Sequence, residues 1–442
     1  MALTFYSSAF HSICSMWRRL RCFGTHLSMT HWAASSLGVL QKPSVACSSS
    51  IFSRKGYCKQ SRSLDSVLLG VSHSTSHGNV FLSSETEQAL RQETPSVSVK
   101  WKQKAVNLNH SGRVMLIDGT SIIYRAYFKL LSKLHHGQLS NADGNGDWVL
   151  TIFTALSLII DVLEFIPSHV AVVFDHDGTP FGHTSVSSNQ GLIAKGLNFR
   201  HTLYPSYKSN RAPTPDTIVQ GLPYFKASIK AMSIKVIEVP GVEADDAIGT
   251  LALRSVDSGF KVRVVSPDKD FFQILSPTLR LLRIAPRGPE MVSFGMEDFA
   301  KRYGTLKPSQ FVDVVSLVGD RSDNIPGVDG IGDVRAVQLI TKFGTVESLL
   351  KQVDQVEEER IRKALISNAD QALLSKNLAL LRCDLPPYMV PFTTEDLIFK
   401  KPEDNGEKFM SLLTAIGAYA EGFSADPIIR RALYLWKKVG TQ

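Results

Sequence analysis

Val114-Met115-Leu116-Ile117-Asp118-Gly119 is a short apolar run that stops on an aspartate and a glycine. Such a run, too short for a buried helix and closed by a turn signal, reads as a fully buried β-strand. The same pattern recurs downstream. Val170-Ala171-Val172-Val173-Phe174 stops at Asp175, Ile234 to Val239 precedes Gly241, and Val262-Arg263-Val264-Val265 leads into Ser266-Pro267-Asp268. Helical periodicity occupies 121–130, 148–165, 214–231 and 243–258 between and beside these runs. Strands that alternate with helices indicate an α/β domain with a mostly parallel sheet. From Met296 onward the periodicity is helical only, over 296–303, 308–318, 331–341, 345–352, 357–378 and 406–417. The chain therefore divides into an α/β part over 113–295 and a helical part over 296–424. Residues 177–198 are rich in Gly, Ser and Thr without a period and read as an insertion. Residues 384–404, with Pro386, Pro387, Pro391 and Pro402, read as an extended surface connection.

The acidic residues follow the strands. Asp118 and Asp175 each close an apolar run, and Asp268 and Asp270 follow the fourth strand. Ligands of a parallel α/β sheet bind at the carboxyl ends of its strands, so these side chains are delivered to one edge. Glu243, Asp245 and Asp246 open the helix after the third strand, and Glu243 and Asp246 share a face. Asp320 and Asp323 repeat that spacing after a helix that ends near Leu317. Any one of these acids alone is most simply a helix cap or a first-turn partner of the helix dipole. Nine of them in five clusters would repel one another unless they share cations. Oxygen-only donors select hard ions, magnesium or manganese. Two such ions about 3.5–4 Å apart are the usual device for phosphodiester hydrolysis.

Basic and aromatic residues interleave between the second and third strands, as Arg200, Tyr204, Tyr207, Lys208 and Arg211. Cations hold phosphates, and aromatic rings stack on unpaired bases. The stretch Ile325-Pro326-Gly327-Val328-Asp329-Gly330-Ile331-Gly332 reads as a hairpin between helices. Its glycines let a backbone approach closely, and the helix after Gly332 offers free N–H groups to a phosphate.

Taken in order, these motifs resemble the 5′-nuclease family, the 5′–3′ exonuclease domain of bacterial DNA polymerase I with its phage and flap-endonuclease relatives. The resemblance rests on Met115-Leu116-Ile117-Asp118-Gly119-Thr120-Ser121, Val173-Phe174-Asp175, Tyr207-Lys208-Ser209-Asn210-Arg211, Gly241 to Asp246, Asp268-Lys269-Asp270 and Gly319 to Gly332. It runs from about Arg113 to Phe423. It implies a PIN-like α/β domain with a helical arch over about 199–231, followed by a helix–three-turn–helix duplex-binding element that often holds potassium. It implies that Asp118, Asp175, Glu243, Asp245, Asp246, Asp268, Asp270, Asp320 and Asp323 bind two Mg2+ or Mn2+ ions. Among these, Asp118 and Asp245, with Lys208 and Arg211, are the expected catalytic groups. Arg200, Tyr204, Tyr207, Lys208, Arg211, Gly327, Gly330, Gly332 and Arg335 are the expected DNA contacts. The implied partner is DNA with a 5′ single-stranded flap or end and adjoining duplex, or an RNA primer in an RNA–DNA hybrid, bound by a monomer. Three departures stand out. Asp175 and Phe199 are 24 residues apart where the family needs a short turn; Asp333-Val334-Arg335-Ala336 stands where the family commonly has Glu-Lys-Thr-Ala, so Val334 takes the lysine's place and Arg335 is the neighbouring cation; and Pro267 stands where the family usually has glycine.

Charge adds a constraint at the N-terminus. The 442 residues carry a formal net charge of +8, and residues 1–100 hold ten basic against four acidic side chains. That Arg-containing, Ser-rich, acid-poor segment has the composition of a mitochondrial or chloroplast transit peptide followed by a linker. Four of the five cysteines lie there, so only Cys383 remains beyond it, which speaks against a disulfide framework or a Cys-based zinc site. No run is long and apolar enough to suggest a membrane span. Alongside the nuclease reading stand a catalytically inactive, structure-selective DNA-binding protein of the same fold, and a ribonuclease without the duplex element.

Overall fold

The computed structural model describes residues 112–136, 146–176, 198–285, 290–420 and 422–440. All lie in one compact unit, Lys104–Gln442. The expected leader and linker over 1–100 lie outside the described residues, as does the expected insertion apart from Asn198.

A six-stranded sheet organises the chain in the order β3-β2-β1-β4-β5-β6. Its strands are β1 (Arg113–Asp118), β2 (His169–Phe174), β3 (Lys235–Glu238), β4 (Lys261–Val265), β5 (Leu279–Ile284) and β6 (Met291–Phe294). The first five run parallel and β6 is antiparallel to β5. The chain lays β2 and β3 to one side of β1, then crosses to place β4 on the other. The boundary between β1 and β4 is therefore the topological switch point, where α/β sheets bind ligands. Ile117 pairs with Val265 across it, which brings Asp118 level with Ser266.

Side chains alternate across the sheet as the pleat requires. Val114 and Leu116 enter one core, and Met115 and Ile117 the other. The helices are α1 (Gly119–His135), α2 (Asp147–Leu163), α3 (Phe199–Leu203), α4 (Asp216–Ala231), α5 (Ala244–Asp257), α6 (Met296–Tyr303), α7 (Phe311–Val318), α8 (Asp333–Phe343), α9 (Val346–Lys351), α10 (Glu359–Ser367), α11 (Ala369–Ala379), α12 (Glu407–Gly417) and α13 (Asp426–Val439). The first core collects α5 and the helices from α6 to α10, and the second collects α1, α2, α4, α12 and α13. Among the described residues no helix is long and apolar enough to cross a membrane.

The structure departs from the sequence expectation in four places, the first being the expected surface connection over 384–404, where Leu385, Val390, Leu397 and Phe399 are buried because they pack into the cores. The sheet has two strands beyond the four expected, because Arg280 and Arg283 interrupt the apolar run of β5. Arg280 pairs with Glu297 at 3.0 Å, and the Arg283 guanidinium lies 5.1 Å from the Phe272 ring centre. The expected helix over 357–378 is two helices, α10 and α11. The residues beyond Phe423, for which no element was expected, form α13. Its Trp436 is buried edge-on to Phe409, and Arg431 bonds Asp161 of α2 and Glu164 just after it.

Candidate active site

The carboxyl ends of β1, β2 and β4 are stitched together by their own acids. Asp118 caps α1, its Oδ1 accepting from Ser121 N at 2.9 Å, while its Oδ2 accepts from Ser266 Oγ at 2.8 Å. Asp175 leaves β2 and accepts from Ala244 N at 2.9 Å, which ties it to the first turn of α5. Asp268 accepts from Asp270 N at 2.9 Å. The capping reading of Asp118 is thus correct but incomplete, because each acid also faces the others.

Four carboxylates share that exposure to like charge. Burial, with help from Asp175, pushes Asp118 up to about 6. Burial and the charges of Asp268, Asp118 and Asp175 hold Asp245 well above the ordinary carboxylate range. Burial raises Asp268 as well, reinforced by Asp323 and Asp320. Burial and the charges of Asp268, Asp323 and Asp320 place Asp270 well above that range. Among the described residues none of the four has a basic side chain at ion-pair distance; the basic side chains of this edge pair with other acids. Each of the four therefore holds a proton more tightly than in water, which is the electrostatic signature of a site lacking positive charge.

Three further acids, Glu243, Asp246 and Asp323, are neutralised from within. Glu243, the residue capping α5, accepts from Lys208 Nζ at 2.6 Å, Asn198 Nδ2 at 2.8 Å and Arg200 Nη1 at 3.0 Å. Burial alone would raise it, but Lys208 and Arg200 hold it at about 2. Asp246 receives both terminal nitrogens of Arg200, at 2.7 and 2.9 Å, and Arg382 N at 2.9 Å. Asp323 pairs with Arg211 Nη2 at 2.5 Å and lies 3.8 Å from Lys208 Nζ. Lys208 adopts a left-handed backbone, φ 55°, fixed by its N–H donating to Asp323 O at 2.9 Å. Such a conformation in a non-glycine residue is a strain that surrounding bonds must hold.

Comparison with known proteins places this arrangement. Residues 192–304 match the family model described as 5′–3′ exonuclease, N-terminal resolvase-like domain, and residues 306–405 match 5′–3′ exonuclease, C-terminal SAM fold. The chain carries both domains of the 5′–3′ exonuclease family. DNA polymerase I of Bacillus caldotenax is 34% identical over 306 residues, covering 69% of this chain and 31% of that protein. The thermostable DNA polymerase I of Thermus thermophilus is 35% identical over 276 residues, covering 62% of this chain and 29% of that protein. The chain thus spans about a third of the length of these relatives. A solved structure with divalent metal ions (zinc) bound to T5 5′-exonuclease is 20% identical, covers 72% of this chain and 99% of that chain, and gives a TM-score of 0.45.

Several residues of the exonuclease domains lie elsewhere than the sequence reading expects. Arg200 and Tyr207, expected beside a bound strand, are each 3% exposed. Arg200 is locked onto Glu243 and Asp246. Tyr207 packs with Val312, Ile325, Leu378 and Ala379, and its hydroxyl donates to Glu243 and Asp323 at 3.3 Å. Tyr204 is half-buried against the same cluster. Asp246, expected as a metal ligand, has both oxygens occupied by Arg200. Gly327, expected at the duplex, is buried: its N–H donates to Ser375 Oγ at 3.1 Å and its carbonyl accepts from Gln371 at 2.8 Å. A Cβ there would sit 2.4 Å from Gly319 N, so glycine serves a backbone crossing. Gly330, Gly332 and Arg335 are exposed, and an open recess is lined by Gly332, Asp333, Val334, Arg335 and Gln338. Arg335 pairs with Glu358 at 2.5 Å. Asp320, at the head of the hairpin, accepts from Ser322 N at 2.7 Å.

Four contributors carried no expected role. Ser266 anchors Asp118, and Asn198 holds Glu243. Asn210 Nδ2 donates to Arg321 O at 2.5 Å and Asn324 Nδ2 to Ser206 O at 2.6 Å, clamping 206–211 onto 320–324. Asn210 and Asn324 stand inside the quoted motifs, but only the fold shows that they bind each other's loops.

Proposed function

We propose that the protein is a divalent-metal-dependent 5′–3′ exonuclease and 5′-flap endonuclease. The observation that carries this reading is the set of carboxylates at the switch-point edge, Asp118 buried and Asp245, Asp268 and Asp270 half-buried, without basic partners at ion-pair distance among the described residues. Their all-oxygen donor chemistry suits magnesium or manganese. Among the described residues no three acidic, His or Cys side chains already close on one point as a metal cage. Magnesium keeps several waters and takes one or two carboxylates together with substrate phosphate, so it does not require such a cage. Asp118, Asp245, Asp268 and Asp270 would hold the ions, with Asp175 and Asp320 beside them. When bound, two such ions supply an activated water and stabilise the leaving oxygen of the phosphodiester.

The chain's own groups do the rest. Lys208 and Arg211 stand at the rim of the acids, where they hold a phosphate and orient the scissile bond. Arg211 is about half exposed, so it reaches a substrate without unpacking the core. Gly330, Gly332, the first N–H groups of α8 and Arg335 receive the backbone of adjoining duplex without reading sequence. Potassium at this hairpin belongs to the same reading. The composition of residues 1–100 supports work in a mitochondrion or chloroplast, on primers and 5′ flaps left by DNA replication and repair.

The test is cleavage of a 5′-labelled flap duplex by the full chain in magnesium. The reading expects cleavage by the wild type and none by the chain bearing Asp245→Asn and Asp268→Asn. Flap binding without cleavage would favour the inactive DNA-binding alternative, and cleavage of single-stranded RNA alone would favour the ribonuclease.

A further inference from the structure

Every donor of the Arg200 guanidinium is engaged. Nε donates to Leu378 O at 2.9 Å, Nη1 to Asp246 Oδ2 at 2.7 Å and Glu243 Oε2 at 3.0 Å, and Nη2 to Asp246 Oδ1 at 2.9 Å and Leu380 O at 2.8 Å. Arginine has five N–H donors, so these bonds leave none for a phosphate. The side chain joins three elements: α3, which bears it, the first turn of α5, and the end of α11. That convergence needs an explanation beyond stability, because α5 also bears Asp245.

Glu243 and Asp246 are three residues apart and lie on one side of the α5 N-terminus. Asp245 lies between them in sequence and points about 100° around the helix from Asp246, toward the charges of Asp268, Asp118 and Asp175. Fixing the two flanking acids fixes the rotation of that turn. We propose that Arg200 is a positioning residue: by holding Glu243 and Asp246 together with the Leu378 and Leu380 carbonyls, it sets where Asp245 points in the acid cluster. Asp246 is then the anchor of Arg200 and not a ligand in its own right. This rests on the nuclease reading for its activity measurement, but not for its metal measurement.

Arg200→Lys tests it in the full chain. Lysine keeps the charge but presents three donors from a single point and cannot span both Asp246 oxygens and two carbonyls. Misplacement by about 1 Å costs on the order of a hundredfold in rate. The expected result is a kcat on flap DNA lowered roughly a hundredfold, KM within about threefold, unchanged flap affinity in EDTA, and weakened manganese binding by calorimetry. Asp246→Asn should shift kcat and manganese affinity in the same direction, and the double variant should be no worse than the worse single one, since the pair acts as a unit. Where Arg200→Lys does not fold, Asp246→Asn, which keeps the side chain's size, carries the same measurements. Full kcat and manganese affinity in a variant that merely melts earlier would overturn the proposal, as would flap affinity in EDTA reduced tenfold with kcat intact. A wild type that cleaves no flap would sink the functional reading instead, and the manganese arm would still judge Arg200.

Discussion

Seven of the nine acids at the carboxyl edge of the sheet fall into two groups, or halves, with opposite electrostatics. Asp118, Asp245, Asp268 and Asp270 have no basic side chain at ion-pair distance among the described residues and are pushed toward protonation. Glu243, Asp246 and Asp323 are clasped by Arg200, Lys208 and Arg211. Residue type does not distinguish the halves, and neighbours in sequence, Asp245 and Asp246, belong to different ones. What separates them is whether a cation comes from the chain or has to come from solution. A buried ion pair is a construction element that is costly to break, whereas a cluster of unpaired acids is destabilising until positive charge arrives.

Substitutions should separate the halves most sharply. Asp245→Asn or Asp268→Asn is expected to lower flap cleavage by a factor on the order of 1,000, comparable to the loss of one electrostatic stabiliser. The melting temperature of the metal-free protein should hold or rise, because a repulsion is removed. Asp246→Ala should do the reverse in stability, costing about 3–5 kcal/mol because it strands a buried guanidinium. Chemical denaturation of both variants checks this. Equal destabilisation by Asp245→Asn and Asp246→Ala would erase the division.

Acidity gives the next largest effect. Asp118 rises from 3.8 to about 6 on folding, so the folded state binds its proton more tightly. Its contribution is stabilising at low pH and is lost as pH rises through about 6. Glu243 falls from 4.5 to about 2, so its contribution is present above 4.5 and is lost as pH falls toward 2. Of these two acids, only Asp118 titrates between pH 5 and 7. Metal-free protein should therefore melt higher at pH 5 than at pH 7, and magnesium should reverse that order. At about 100 times its dissociation constant, an ion adds roughly 2.7 kcal/mol. A flat melting profile across pH 5–7 in EDTA would contradict the account.

The hairpin repeats the contrast on a smaller scale. Gly327→Ala meets the Gly319 backbone at 2.4 Å from a left-handed φ of 68° and should destabilise by about 2 kcal/mol or more. Gly332→Ala has nothing within 4 Å and should leave stability within about 0.5 kcal/mol. Arg335→Ala is expected to weaken duplex binding only a few-fold and to flatten its salt dependence by about one phosphate contact. Titration of duplex at several salt concentrations would show it.

These contrasts mark what could be read before the fold was known. The strand ends were legible because Asp118 and Asp175 close uninterrupted apolar runs, and α/β alternation sends such ends to one edge. β5 was not, because Arg280 and Arg283 interrupt its run and are accommodated by distant partners, Arg280 by Ser293, Glu297 and Asp298 and Arg283 by the Pro267 carbonyl and the Phe272 and Phe294 rings. Lys208 and Arg211 lie beside the acids, paired with Glu243 and Asp323, and Arg211 is half exposed. Arg200 and Tyr207 were not legible as core residues, because burial is decided by partners far along the chain. The carbonyls that complete the Arg200 site belong to Leu378 and Leu380, 178 and 180 residues away. Spacing shows that a basic residue is near an acid, but not whether the pair faces substrate or core.

The division of the acids is tested most directly by manganese titration of the full chain in a calorimeter, wild type beside Asp245→Asn with Asp268→Asn. The account predicts saturable binding by the wild type and its loss in the double variant, with the melting temperature in EDTA preserved. Undiminished binding by the double variant would contradict it.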